Sequence, residues 1–297
     1  LTDLVDVNSR EGLGAESLSF GRLALRRFVR HRPAIVSLFL LILMVLAFFF
    51  AGRLSNFAFD AVDVTKRLEN PSREHPFGTD EIGRDLFVRT MLGGQYSVRV
   101  ALQVSLLATA IGTILGAIAG YFGRWVDTAI SQMINLILIV PALIVLAVFA
   151  QRFGGSPVGL ALVLSGLLWT RIARVVRGVV MQYKEQEFVL AAKAVGAKPG
   201  RIVARHILPN VVGSVLVEIT LLLGTAIVLE STLSFLGLGV QPPIPTLGNL
   251  IQQSKGAIDD APLRVLLPGF FVVFFVLFIN FLGDGLRDAL DPRSKRQ

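Results

Sequence analysis

Residues 187–210 read EFVLAAKAVGAKPGRIVARHILPN. Phe188, Ala191, Ala192 and Val195 fall at i, i+3, i+4 and i+7, which places them on one apolar face of a short helix. Gly196 is suited to end that helix in a left-handed conformation, and Pro199 forbids simple continuation. A second short helix is expected from about Gly200 to Leu208, stopped near Pro209. Lys193, Lys198, Arg201 and Arg205 make the hairpin basic. Two occupants suit such an element. A rigid helix with small side chains fits a groove on another protein, and a basic amphipathic helix rests on anionic lipid.

The runs flanking the hairpin decide the class of the chain. Of its 297 residues 53% are hydrophobic and 17% charged, and the mean hydropathy is +0.67. A soluble domain carries about 25% charged residues. Positions 33–52, 100–123, 128–151, 153–170 and 265–283 hold no charge, and a further apolar stretch at 211–238 holds two acids, Glu218 and Glu230. A helix needs roughly 20 apolar residues to cross a bilayer. The expectation is an all-α polytopic membrane protein with six spans. The net charge of +8 does not point to nucleic acid, because the basic excess sits beside hydrophobic spans. The absence of cysteine excludes disulfide and thiol chemistry. Residues 1–33 lack an apolar core of the signal-peptide kind, so no cleavable signal is expected there.

Lys and Arg set the orientation. Arg22, Arg26, Arg27, Arg30 and Arg32 precede the first span, so the segment 1–33 is expected in the cytoplasm, with its amphipathic part either lying on the inner surface or anchoring the topology. The span-bearing domain is expected over 34–290. Its loops are an outer loop at 53–97, mostly irregular, a cytoplasmic loop at 171–210 and an outer loop at 239–263. The tail 291–297, with Arg293, Lys295 and Arg296, is expected in the cytoplasm.

Several residues within this frame bear on mechanism. Gly112, Gly116 and Gly120 recur every fourth residue, so a helix backbone can approach closely, from the same chain or a partner. Acids within hydrocarbon are costly unless they face water, a partner or a cavity. Glu218 therefore either faces a pathway through the bundle or pairs with an Arg or a hydroxyl on a neighbouring helix. Glu230 is a second candidate for that pathway, and its local partners Ser231, Thr232 and Ser234 favour a structural role. Asn280 is a polar candidate for the pathway. Arg171, Arg174 and Arg177, at every third position, are expected to bind lipid phosphate. Pro242, Pro243 and Pro245 break the chain, and TLGNLIQQSKGAI after them is expected to dip back as a short helix, as a gate or a rigid turn. His31, His75 and His206 are isolated, so no metal site is expected.

AAKAVG…HILPN resembles the cytoplasmic signature of ABC importer permeases, Glu-Ala-Ala, three residues, Gly, then a spaced Ile-x-Leu-Pro. Ala191, Ala192, Gly196, Leu208 and Pro209 match by position. Leu190 stands where the family usually has Glu, and His206 where it has the first Ile. HPFGTDEIGRDLFVRTMLGG (75–94), ESTLSFLGLGVQPPIPTLGNLI (230–251) and GDGLRDALDP (283–292) resemble further signatures of the peptide and nickel permease group, in the family order. The chain is most similar to the second, C-type permease of dipeptide and oligopeptide importers.

That resemblance implies a bacterial cytoplasmic-membrane protein in which the 187–210 hairpin is the coupling helix. Glu187, Phe188, Ala191, Ala192, Gly196, Arg201, Leu208 and Pro209 would contact an ATPase. It implies a heterodimer with a second homologous permease, two ATPase domains carrying ATP and Mg, and an extracytoplasmic substrate-binding protein. The chain itself would bind no cofactor and form no covalent bond. Its own residues agree, since no phosphate-cradling G-x-x-x-x-G-K-[ST] occurs. Nickel chelates, opines or haem-like molecules remain alternative cargoes, and a non-transporting membrane scaffold is the alternative of a different class. An intramembrane hydrolase is disfavoured, because no His lies within an expected span to activate a Ser.

Overall fold

The computed structural model describes residues 20–290 except 56 and 154. The beginning of the amphipathic segment and the tail 291–297 therefore lie outside the described residues. Every element named here is helical: α1 (Phe20–Arg30), α2 (Arg32–Phe50), α3 (Leu86–Phe122), α4 (Arg124–Ile139), α5 (Ala142–Phe153), α6 (Pro157–Lys184), α7 (Glu187–Ala194), α8 (Pro199–Ile202), α9 (Leu208–Phe235), α10 (Leu247–Ser254) and α11 (Leu263–Leu290). Among the described residues, α2, α3, α6, α11 and the continuous run Pro199–Phe235 are long and apolar enough to cross a membrane. A sixth span exists only if α4 and α5 are counted together, and they meet at 86°.

The expected straight span at 128–151 is thus corrected to a broken one. Pro141 has no N–H to give the helix and pushes the residue before it into an extended conformation. Val140 takes φ −81°, ψ 133°, and the chain turns there. The elbow, together with α6, encloses an apolar groove of about 600 Å³ lined by residues such as Leu136, Val145, Phe149 and Leu162.

Two expected loops are shorter than their charge suggested. The helix containing the second span starts at Leu86, inside the expected outer loop 53–97, because Asp85 caps it by accepting the Val88 N–H at 2.8 Å. At 37 residues it is about 55 Å long, well beyond the hydrocarbon thickness. Likewise residues 171–184 of the expected cytoplasmic loop are the last turns of α6.

The centre of the bundle is the α3–α6 pair, the most extensive contact between elements. A Cβ built on Gly112 would lie 2.6 Å from Ile172 Cβ. One on Gly116 would lie 2.6 Å from the Ala173 carbonyl oxygen, and one on Gly120 2.7 Å from that of Arg177. The glycine face is therefore a groove for α6 of the same chain. Two apolar clusters fill the interior. One, around Phe48, Val98, Leu164 and Leu233, lies toward the end where α10 packs. The other, around Tyr121, Trp169, Val176 and Ile202, lies toward the end that carries α7 and α8. At that hairpin end α1 packs on α11, and His31 Nε2 stands 3.5 Å from Asp288.

Candidate functional site

The hairpin is built as a rigid attachment. Gly196 adopts φ +80°, which favours glycine because a Cβ crowds the following carbonyl there. Its N–H donates to the Lys193 carbonyl and the Ala197 N–H to that of Ala192, each at 3.0 Å, so both ends of a Schellman stop are made. Val189, Ile202 and Ile207 are buried, with Ala192 nearly so, against the cluster that includes Val176 and Val180 of α6. The Lys193 ammonium sits 5.9 Å from the centre of the Tyr121 ring and that of Lys184 at 6.0 Å, both within cation–π range.

Two expectations for this segment are corrected. The face Phe188, Ala191, Ala192 and Val195 is split: Ala192 turns inward with Val189, whereas Phe188, Ala191 and Val195 are exposed, Val195 at 85%. An eight-residue helix rich in alanine offers two apolar faces, and packing chose the one carrying Val189. The second helix does not stop at Pro209 either. Residues Val203–Ile207 form a π-turn, and the Leu208 N–H reaches back five residues to the Val203 carbonyl. The widened turn relieves the clash a proline makes with the carbonyl four residues earlier. Pro209 then lies in the first turn of α9, where its missing N–H costs nothing, and the run Pro199–Phe235 is one continuous helix. Glu187 opens α7, and Arg201 and Leu190 are exposed beside Phe188.

The three arginines of α6 have protein partners. Arg171 Nε donates to Glu218 Oε2 at 3.1 Å, Arg174 to Asn135 Oδ1 at 3.1 Å, and Arg177 grips Asp127 with two nitrogens, one at 2.7 Å. The lipid-phosphate expectation gives way to a ladder joining α6 to α4 and α9. Glu218 thus has an arginine partner on a neighbouring helix. Asn280 of α11 is exposed beside Gly224.

The far end holds a buried polar cluster. Glu230 is fully buried and accepts from Ser97 at 2.8 Å, Ser234 at 2.8 Å and Ser231 at 3.3 Å. Ser97 in turn accepts the Leu247 N–H at 3.1 Å. α10 starts with a capping box between Thr246 and Asn249, and Gly237 at φ +78° stops α9 before the cis Pro242–Pro243 bond. The expected short helix in TLGNLIQQSKGAI is therefore present. With residues 68–86 and Arg264 it surrounds a polar cavity of about 690 Å³, in which Arg84 pairs with Asp80 at 2.6 Å and reaches Gln253. Arg89 is buried behind this wall and donates to Gln253 at 3.0 Å. His75, also buried, is held at 2.7 Å by Asp85, and no metal-holding cluster exists among the described residues. In the exposed part of the loop Lys66 bonds Glu74 at 2.6 Å, which lowers the carboxyl pKa and raises that of the ammonium.

Sequence reasoning missed Val189, Ile202 and Ile207 as the hairpin's anchors, and Ser97 as the partner of Glu230. The anchors had a signal in their branched apolar side chains; Ser97 had none, being 133 residues away from Glu230.

A bundle of helices long enough to cross a membrane, holding a rigid basic hairpin at one end, defines a membrane-embedded subunit class. The chain belongs to the family described as binding-protein-dependent transport system inner membrane component, whose pattern matches residues 112–296. A second pattern, the N-terminal TM domain of oligopeptide transport permease C, matches residues 19–71. The chain is 39% identical to the dipeptide transport system permease protein DppC of Alkalihalophilus pseudofirmus, over 92% of this chain and 90% of that protein. It is 39% identical to the oligopeptide transport system permease protein OppC of Escherichia coli K12, over 97% and 96%. A structure of the inward-facing MetNI methionine ABC transporter matches with a TM-score of 0.54 at 20% identity, over 67% of this chain and 94% of that one, and shows the fold alone. The protein is a multi-pass permease subunit of a bacterial inner-membrane ABC transporter, with the ATPase on a separate subunit and a binding protein as partner.

Proposed function

We propose that this chain is one of two homologous permeases of an importer for dipeptides and oligopeptides. The cargo reading rests on the peptide permeases to which the chain is similar over nearly its whole length. Two ATPase domains, which carry the ATP and Mg, dock on the hairpin end in the cytoplasm, and the binding protein delivers peptide at the far end, outside. The segments 53–97 and 239–263 are then the outer side, and 1–33, 171–210 and 291–297 the inner side, bordered by lipid. The observation that carries the coupling role is the hairpin's construction. Val189, Ile202 and Ile207 lock it to α6 and α9, while Glu187, Phe188, Ala191, Gly196 and Arg201 remain exposed for the ATPase. Ala192, packed inward, and Leu208 and Pro209, which carry the hairpin into α9, act by fixing its angle. ATPase closure would drive the hairpins together and tilt the spans, exposing the pathway alternately to either side. Glu218 and Asn280 are the pathway candidates of the inner half, with Glu218 oriented by Arg171.

The test is to co-purify the chain with its neighbours, reconstitute the complex, and measure uptake of labelled dipeptides and oligopeptides against nickel and haem. ATP-dependent peptide uptake is expected. Uptake of nickel or haem alone would transfer the cargo to that class, uptake without ATP would make the assembly a channel, and failure to recover an ATPase would overturn the proposal.

A further inference from the structure

Among the described residues Glu230 is the one carboxyl group fully buried in the span region, and its contacts join three helices. Leu247 opens α10, and its N–H is one of the amides that a helix start leaves without an internal partner. That N–H donates to Ser97 Oγ of α3 at 3.1 Å, and the Ser97 hydroxyl donates to Glu230 Oε2 of α9 at 2.8 Å. The two bonds point the same way, so each polarises the other, and they end on the Glu230 carboxyl group. Ser231 and Ser234 complete the carboxylate from its own helix, at 3.3 and 2.8 Å. Backbone packing holds α10 at the same place: a Cβ on Gly248 would lie 2.5 Å from the Ser231 carbonyl oxygen.

The position of this clasp gives it a task. Pro199–Phe235 is one continuous helix, so the hairpin and Glu230 sit about 45 Å apart on a single rod. At the far end of that rod, α10 supplies Asn249, Leu250, Gln252, Gln253 and Ser254 to the wall of the outer cavity. We propose that Ser97 and Glu230 are positioning residues for transport: they hold the start of α10 to α9, so that tilting of α9 moves the cavity wall. This rests on the importer reading of the preceding section. The clasp acts through α10 and touches no cargo itself.

The sequence holds no cysteine, so a single Gln252→Cys, read on the separated band of this chain, reports on the cavity wall without background from its other residues. In the reconstituted complex, the rate of maleimide labelling at this position is compared between the nucleotide-free state and a state trapped with an ATP analogue. A several-fold change is expected, and Ser97→Ala should flatten it. Ser231→Ala, which removes a hydroxyl from Glu230 but leaves the link to α10, should retain it. So should Glu230→Gln, which keeps an acceptor for Ser97. Leu247→Pro cuts the same link from the other side, since proline is accepted at the first position of a helix yet brings no N–H. It should behave like Ser97→Ala, whereas Leu247→Ala, which keeps the N–H, should not. If Ser97→Ala does not assemble, the pair at Leu247 decides. A nucleotide response that survives Ser97→Ala or Leu247→Pro, or that is lost equally in Ser231→Ala, overturns the clasp. Absence of ATP-dependent uptake by the otherwise unaltered complex overturns the importer reading instead.

Discussion

Gly116→Ala adds one methyl group to a close contact between α3 and α6. The new Cβ would lie 2.6 Å from the Ala173 carbonyl oxygen and 3.0 Å from Val176 Cβ. Ordinary contact begins near 3.4 Å, so α3 and α6 must separate locally by about 0.8 Å. Neither neighbour can yield alone, because one is backbone and the other a β-branched side chain fixed in its helix. Overpacking of this kind costs about 1–3 kcal/mol. Helix propensity works the other way, favouring alanine over glycine by about 1 kcal/mol. The two are separated by controls within α6: Gly166 and Gly178 have no atom within 4 Å of a built Cβ. Unfolding of the purified chain in detergent, followed by the fluorescence of Trp169 beside the groove in a Trp125→Phe background, should show Gly116→Ala destabilised. Gly166→Ala and Gly178→Ala should be neutral or stabilised. Equal stability of Gly116→Ala and Gly178→Ala, within about 0.5 kcal/mol, would refute the close α3–α6 approach.

Three further outcomes follow from the hairpin. Gly196→Ala meets no steric obstacle but must hold φ near +80°, at a cost of about 1–2 kcal/mol, so amide exchange at the end of α7 should quicken by roughly tenfold or more, and by less in Gly196→Asn. Unchanged exchange would mean that the Schellman stop is not needed. Deleting Ala204 turns the π-turn into an α-turn, which rotates α7 and α8 by about 100° against α9. The chain should still insert while uptake per ATP hydrolysed falls, whereas Ala204→Gly, which keeps the register, should be far milder; retained coupling in the deletion would remove the rigid-rod account. Leu190→Glu restores the residue usual in the family at an exposed position, so thermal stability should stay within about 0.5 kcal/mol of the parent. Its ATPase stimulation by the binding protein should change, and an unchanged rate would place Leu190 outside the interface.

Much of this architecture is readable from local pattern. Charge-free runs mark the spans, and Gly112, Gly116 and Gly120 mark the face that receives α6. Gly196 and Pro199 mark the break between α7 and α8. The misreadings have physical causes. The run 128–151 is free of charge, and hydropathy gives no sign that Pro141 bends it by 86°; the Val-Pro step itself is the available cue. Pro209 reads as a stop only if the preceding helix is an α-helix, and a π-turn cannot be seen in the sequence. Arg174 and Asn135, or Ser97 and Glu230, lie far apart along the chain, so their pairing depends on which helices become neighbours. Basic residues at a span end were read as lipid contacts because the acids and amides that receive them sit on other helices.

The central claim is that the hairpin is the place where this permease meets its ATPase. A photo-reactive side chain at Val195, which caps α7 and is the most exposed apolar residue of the hairpin, tests it in the assembled complex, with Ile258 at the far end as the comparison. Illumination should yield an adduct between this chain and the ATPase subunit from position 195 and none from position 258. Adducts from position 195 to lipid alone, or to the binding protein, would contradict the account.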